Sequence, residues 1–365
     1  MNKNLMYSVE QTFNSGYAWY VKQLKEDGSF PGITRDDSAT FYNVLYLFFL
    51  GGKWKEAERF VSWARANIID ENNAFYIDPD GIYANRGIYF KGWNVLGAHS
   101  CGFFDLSLNV IDGLFSYQDE VSGGFYCSEK RAHTNQGYAD LNAAALVGYA
   151  ALVTGRGVQA QKAARYIAYI MDIQPDFPHK IYAYYDPRKK SLVTELPAGL
   201  SDKMGQLDNI YAEKKTVTET DIDIWHLCLD TNSKDKVRAY AGLSMAFVFV
   251  CEMYRVTGDP ALKAAAMKMF DFFDYAGDKC WIEGQTTKVL WGLALLSTIS
   301  DDKRVDRAIA RLSSHLCKIQ IKDKGWISPV IGSTFEEQPY WVSLALAGDI
   351  LMGLAAVLRY CKRGL

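Results

Sequence analysis

The chain has 365 residues, 49% of them hydrophobic and 14% aromatic, enough to bury a large core in one domain or two. Its 40 Lys and Arg against 42 Asp and Glu give a net charge of -2, which excludes general electrostatic capture of nucleic acid. With 22% charged residues beside 23 Tyr, 19 Phe and 9 Trp, the composition is neither disordered nor fibrous.

The opening residues, MNKNLMYSVEQTF, hold no continuous apolar stretch and no small-residue cleavage site, so no signal peptide is expected. The apolar runs Phe41 to Leu50 and Ala241 to Cys251 are too short to cross a bilayer, and no membrane span is expected. The seven cysteines, Cys101, Cys127, Cys228, Cys251, Cys280, Cys317 and Cys361, are widely spaced and form no CxxC pair. That pattern points to free thiols in a reducing cytoplasm.

In chain order, helical periodicity dominates. Segment 8–25 reads as a helix with Phe13, Tyr17 and Tyr20 on one side, and 37–50 as an apolar helix stopped by Gly51-Gly52. Segment 53–69 is amphipathic, with Trp54, Ala57, Phe60, Val61, Ala64 and Ile68 on a broad stripe. Segments 86–98 and 99–117 follow, with no clear turn between them. Apolar 136–153 and amphipathic 157–172 are divided by Thr154-Gly155-Arg156-Gly157. Apolar 235–256 and amphipathic 260–274 are divided by Thr257-Gly258-Asp259-Pro260, where Pro260 suits a first helical turn. Apolar 285–298, amphipathic 302–318 and the closing segment 339–359 complete the chain.

An apolar helix, a tight turn and an amphipathic helix therefore recur. Apolar helices belong inside and amphipathic ones outside, in stacked pairs that bury faces no pair can bury alone. Similar connectors precede most apolar helices: Asp27-Gly28-Ser29-Phe30, Asn73-Ala74-Phe75-Tyr76, Gly123-Gly124-Phe125-Tyr126, Lys180-Ile181-Tyr182, Lys279-Cys280-Trp281 and Lys324-Gly325-Trp326-Ile327. One long step between them holds an inserted region, about 186–232. The last apolar helix lacks an outer partner, which segment 8–25 can supply. The expectation is an all-α fold: a single (α/α)6 barrel (toroid) domain over 1–365, with six inner and six outer helices and adjacent termini. An irregular bundle or two helical domains is the alternative.

The run Asp27-Gly28-Ser29-Phe30 with Ser38, Ala39 and Leu45, and Gly123-Gly124-Phe125 with Asp140, Ala144, Leu146 and Gly148-Tyr149, resemble the repeats of terpene cyclases and prenyltransferase β-subunits. The alternating helices and aromatic connectors also look like six-hairpin carbohydrate enzymes, the acylglucosamine epimerases and unsaturated glucuronyl hydrolases. The resemblance covers most of the chain as architecture, and it implies one funnel-shaped cavity at one end of the ring. The acid motif of squalene-cyclase-like enzymes, Asp-Xaa-Asp-Asp, is met only as Asp221-Ile222-Asp223-Ile224. No zinc trio of the prenyltransferase kind is found. Asp36-Asp37 is followed by Ser38, Ala39 and Thr40, so the magnesium motif of diphosphate-ionising synthases fails as well.

The richest polar segment runs from Cys127 to Asp140. Within it His133 suits a general acid or base near neutrality, Tyr138 a proton donor, and Asp140 an orienting or cation-facing carboxylate. A polar loop with a helix cap at Thr134 or Asn135 is the plainer account. In the insertion, Glu219, Asp221 and Asp223 alternate, so an extended chain puts three carboxylates on one face. Apolar neighbours on both sides of Asp223 would raise its pKa and make it the first candidate acid, with Asp221 beside it. A metal held by Asp221, Asp223 and His226 is a lesser alternative, and no metal or organic cofactor is expected. Rim positions assigned to substrate binding are Asp37, His99, Trp281, Glu283, Lys288, Trp291, Tyr340 and Trp341. Asp223, His133 and Glu283 are expected to converge at one rim. Cys101 and Cys127 are the candidates for a thiol mechanism.

No G-x-S-x-G, P-loop or G-x-G-x-x-G after a strand is present. Three functions fit. The first is a cofactor-independent cyclase, isomerase or hydro-lyase, a lyase- or isomerase-type enzyme using acid–base chemistry in an aromatic-lined cavity. The second is a carbohydrate hydrolase or epimerase, with aromatic rings stacked on sugars and a carboxylic acid protonating the leaving oxygen in a hydrolase. The third is a non-catalytic helical binding scaffold. The expected partner is a small molecule, isoprenoid-like or sugar-like, with no nucleic acid; a homo-oligomer is compatible with the composition.

Overall fold

Short polar side chains mark where several helices begin. Asn2 accepts from the Leu5 amide at 2.9 Å, opening α1 (Lys3–Lys22). Asp140 accepts from the amides of Asn142 and Ala143 at 3.1 and 3.0 Å, opening α6 (Leu141–Val153). Asp259, ahead of Pro260, opens α9 (Pro260–Ala276), and Asp302 opens α11 (Lys303–Lys318). Each satisfies amide groups that a helix end otherwise leaves unpaired.

The structure is a computed structural model that describes residues 2–32, 34–78, 86–129, 137–195, 228–232, 240–282, 286, 288–321, 323–327, 334, 336 and 338–361, with the side chains of Asp37 and Thr40 outside the description. Twelve α-helices of seven residues or more lie in the described residues. Those not yet placed are α2 (Val44–Leu50), α3 (Trp54–Asn67), α4 (Gly87–Ser100), α5 (Phe104–Leu114), α7 (Gly157–Asp172), α8 (Ala241–Thr257), α10 (Val289–Leu296) and α12 (Tyr340–Tyr360).

Even-numbered helices are inner and odd-numbered helices outer. Leu141 through Ala151 of α6 is buried on every side, whereas α7 buries Ala160, Ala163, Ala164, Ile167 and Ile170, a stripe at helical spacing. Inner helices pack in sequence order, and α12 returns against α2 to close the ring. The N-terminal helix α1 packs on α12, so the first outer and last inner helices are neighbours as the sequence implied. The result is an (α/α)6 toroid. By length and composition α12 would suffice to cross a membrane, but 78% of its apolar window is buried and it forms an inner stave of the ring.

The direction of the chain sets two unlike ends. The first five inner helices each lead through a short turn to an outer one, and α12 follows its outer helix as the others do, so all six inner helices run the same way. Glycines with left-handed backbone, Gly52, Gly102, Gly155 and Gly258, stand in four of these turns. The outer-to-inner connectors gather at the other end, the rim. There Ile69 bridges Phe75, Gln118 bridges Phe125 and Gln320 bridges Trp326, and each of these rings is buried. The repeated connector glycines have a packing reason. Gly28 and Gly123 take φ of 87° and 80°, and a Cβ at Gly123 would lie 2.8 Å from the Lys162 carbonyl of α7.

The rim carries short strands as well. β1 (Phe125–Tyr126), β2 (Ala139–Asp140), β4 (Tyr184–Asp186) and β5 (Ser191–Leu192) form one antiparallel sheet in the order β1-β2-β4-β5. β3 (Lys180–Tyr182) pairs with β6 (Cys228–Asp230). These pairings hold the two ends of the expected insertion; residues 196–227 within it lie outside the description.

Several boundaries differ from expectation. Residues 35–41 form a 3-10 stretch, and the first inner α-helix starts only at Val44. The expected pair 86–98 and 99–117 does have a turn, Cys101-Gly102-Phe103, with Gly102 at φ 84°. Helix 136–153 begins at Leu141 because Asp140, not Thr134 or Asn135, is its cap.

Candidate functional site

Unequal inner helices create the site. α2 has 7 residues and α10 has 8, against 21 in α12. The residues just before the short helices, Tyr42, Asn43 and Lys288, therefore enter the ring at the level of Asp349, midway along α12, and Trp93 of α4. Lys288 is ion-paired with Asp349, both nearly enclosed with side-chain exposures of 5% and 8%. Tyr42 Oη donates to Asp349 Oδ1 at 2.6 Å, and Asn43 Nδ2 donates to the same oxygen at 3.2 Å. Asn43 also donates to the Ala345 carbonyl at 3.3 Å and accepts from Tyr20 Oη at 3.5 Å. Gly348 makes room for it, since a Cβ there would collide with the Asn43 side chain.

Aromatic faces surround the ammonium. Lys288 Nζ lies 5.5 Å from the Tyr42 ring centre and 6.0 Å from that of Trp93, within cation–π range. Tyr42 also contacts Phe90 and Tyr89, and Arg86 lies over Tyr89 at 4.6 Å. Burial, with the Asp349 charge adding to it, pushes the Tyr42 phenol well above its ordinary pKa, so it stays a donor. Trp93 Nε1 is buried without a hydrogen-bond partner among the described residues, an unspent donor beside this cluster.

Of the residues singled out in the sequence, Lys288 sits at the centre of this arrangement. Trp291, one turn further along α10, stacks on Tyr46. Asp140 caps α6 with both carboxylate oxygens, and this local duty explains its buried position. Tyr138 is half-buried beneath the Arg188 guanidinium, 5.3 Å from its ring, and Arg188 is in turn paired with Asp186 at 2.7 Å. Trp341 is half-buried at the start of α12.

Three other assigned residues have local contacts of their own. His99 lies in the last turn of α4, at the tight-turn end; its Nδ1 meets Ser107 Oγ at 3.1 Å and its ring packs on Phe104. Trp281 is a buried filler against Phe273. Tyr340 is half-buried at the start of α12, its hydroxyl donating to Gln23 at 3.4 Å. Asp221, Asp223, His133 and Glu283 lie outside the described residues, as does the Asp37 side chain. Among the described residues no three His, Cys, Asp or Glu side chains converge as metal ligands would. Burial pushes the Cys101 thiol up to about 12, far from the thiolate a nucleophile needs.

Sequence reasoning missed Asp349, Tyr42, Asn43 and Trp93. Asp349 had a usable signal: it is the only acidic residue in the apolar segment 340–360. Tyr42 and Asn43 looked like the interior of helix 37–50.

The chain thus forms a closed ring of helical hairpins with an enclosed ion pair and aromatic faces at its axis. Compared with known protein families and with curated protein sequences, the chain matches none. Solved structures do match. A D-mannose isomerase aligns at TM-score 0.64 and 10% identity, over 98% of each chain. The type II terpene cyclase MstE from Scytonema, as its apo variant, aligns at 0.60 and 10%, over 99% of this chain and 100% of that one. The α-1,6-mannanase of a Salegentibacter species aligns at 0.56 and 11%, over 97% and 99%. These likenesses establish the fold and tie it to both carbohydrate-active enzymes and terpene cyclases.

Proposed function

We propose that this protein is a carbohydrate-active enzyme, an isomerase or epimerase that moves a proton on a small sugar without an organic cofactor. The buried cluster of Lys288, Asp349, Tyr42 and Asn43 carries this reading. A sugar offers hydroxyl groups and an apolar C–H face, and this cluster sets donors beside aromatic rings. Deprotonation next to a sugar carbonyl puts negative charge on oxygen. The Lys288 ammonium is suited to stabilise that charge in a water-poor interior, with the Tyr42 hydroxyl as proton donor. The abstracting base is sought among residues outside the description, where His133, Asp221 and Asp223 stay the candidates.

Terpenoid cyclisation is the second reading, favoured by the column of rings Tyr42, Trp93, Tyr46 and Trp291 along the axis. A cyclase of that kind needs a carboxyl group that gives a proton to an alkene. Asp349 within α12 and Asp140 at the start of α6 both serve as hydrogen-bond acceptors. This weighs for the carbohydrate reading.

The test is proton exchange. Aldoses, N-acyl amino sugars and uronic acids are incubated with the protein in deuterium oxide and followed by proton NMR. Loss of the C2 proton signal from one of them is expected, and Tyr42→Phe should slow it by about a hundredfold. No exchange with any sugar, together with cyclisation of an isoprenoid alcohol, would refute the proposal. Release of reducing ends from an oligosaccharide without exchange would replace it with hydrolysis.

A further inference from the structure

At the tight-turn end, opposite the rim, the ring opens into a cavity of about 250 Å³. Its floor is aromatic. Tyr46 and Trp291 stack at 5.5 Å, and Tyr149 meets Trp291 edge-on at 5.9 Å. Leu152 and Met352 add aliphatic wall.

The mouth is charged. Glu252 is matched by Arg255 at 2.8 Å and accepts from Tyr360 Oη at 3.4 Å. Arg359 stands exposed on the same mouth, its guanidinium 5.3 Å from the Tyr360 ring, and no carboxylate pairs with it among the described residues. Two guanidinium groups against one carboxylate leave the mouth net positive above an aromatic floor. Guanidinium groups in the last turns of α8 and α12 also suit the negative helix ends there, but that role requires neither the cavity nor its rings.

We propose that this cavity is a second ligand site, distinct from the Lys288 cluster, for a compact carboxylate with a flat apolar body, the chemistry of an aromatic acid. Arg359 engages the carboxylate and the flat body lies against the rings of the floor. The site is separate because aromatic rings close the axis between the two ends. Tyr46 is 6.0 Å from Trp93, which is 5.6 Å from Tyr42.

Isothermal titration of the full chain at low salt tests this, with benzoate, benzamide and benzylamine as probes. Benzoate should bind at least about tenfold more tightly than benzamide or benzylamine, and Arg359→Gln should weaken benzoate by about tenfold or more. Leu152→Trp, which fills the cavity, should abolish binding while its unfolding midpoint stays near that of the parent. Tyr42→Phe should leave benzoate affinity unchanged. Preference for benzylamine, absence of benzoate binding, or an unaltered affinity in Arg359→Gln would overturn the proposal. So would a loss of affinity in folded Tyr42→Phe, which would move benzoate to the Lys288 cluster.

Discussion

Tyr42 donates a 2.6 Å hydrogen bond to Asp349 across 307 residues of chain, at the seam where the last inner helix meets the first. The same carboxylate pairs with Lys288 of the neighbouring hairpin. One buried side chain of α12 thus ties together the three inner-helix segments that enclose the candidate site, and closure of the ring and assembly of the site are a single event.

The ion pair should behave as a buried one. Removing only one partner leaves an uncompensated charge, so Lys288→Met is expected to destabilise the fold by about 3 kcal/mol. The double variant Lys288→Met with Asp349→Leu should recover most of that loss, because both charges are gone. Urea unfolding of the two single variants and the double variant measures the coupling. Additive effects would show that the pair contributes nothing as a pair.

Gly348 tests the support behind the cluster. Gly348→Ala drives a methyl group into Asn43 and should shift that side chain away from Asp349. Overpacking of this kind costs about 1–3 kcal/mol. Gly113→Ala is the control, at a helical position where a Cβ meets nothing within 4 Å. It should stabilise by about 0.5–1 kcal/mol. Equal unfolding midpoints for the two variants would contradict the packing described here.

Asp140 separates a capping role from a catalytic one. Asp140→Ala should cost about 1–2 kcal/mol through loss of the α6 cap, and Asp140→Asn much less, because asparagine caps nearly as well. Turnover on whichever sugar shows exchange should survive in Asp140→Asn. An inactive but fully stable Asp140→Asn would return this residue to the chemistry.

Stability should fall on mild acidification. Burial lowers the pKa of His99 below the ordinary 6.5, with Arg156 adding to the effect, and burial then Lys318 do the same for His315. A histidine with a lowered folded pKa is held neutral by the fold, so its contribution is complete above 6.5 and is lost as pH drops through 6.5 towards the folded value. Unfolding temperature should therefore decline from pH 7.5 to 5.5, and His99→Gln with His315→Gln should flatten the decline. A parent protein with constant unfolding temperature over that range would rule this out.

The ring itself was legible in the chain. Apolar and amphipathic helices alternate, glycines punctuate the short turns, and aromatic connectors return at similar spacing; these are local signals, each read within one helix or one turn. The unpaired final helix even specified which two elements close the ring. The site was legible only in part. Lys288 stood out as a charge at the start of an apolar helix, but its partner lies 61 residues away, and nothing local to Asp349 announces that Lys288, Tyr42 and Asn43 will meet it.

Helix boundaries made the difference. A shift of a few residues decides whether His99 faces the rim or the opposite end, and whether Asp140 caps a helix or lies inside one. Periodicity reports which face of a helix is buried but not how far along the ring axis a residue sits. Sequence by itself therefore determined the architecture, because burying six apolar helices requires mutual packing. Which polar groups share the interior was decided by tertiary structure alone, because it depends on how far each inner helix extends along the common axis.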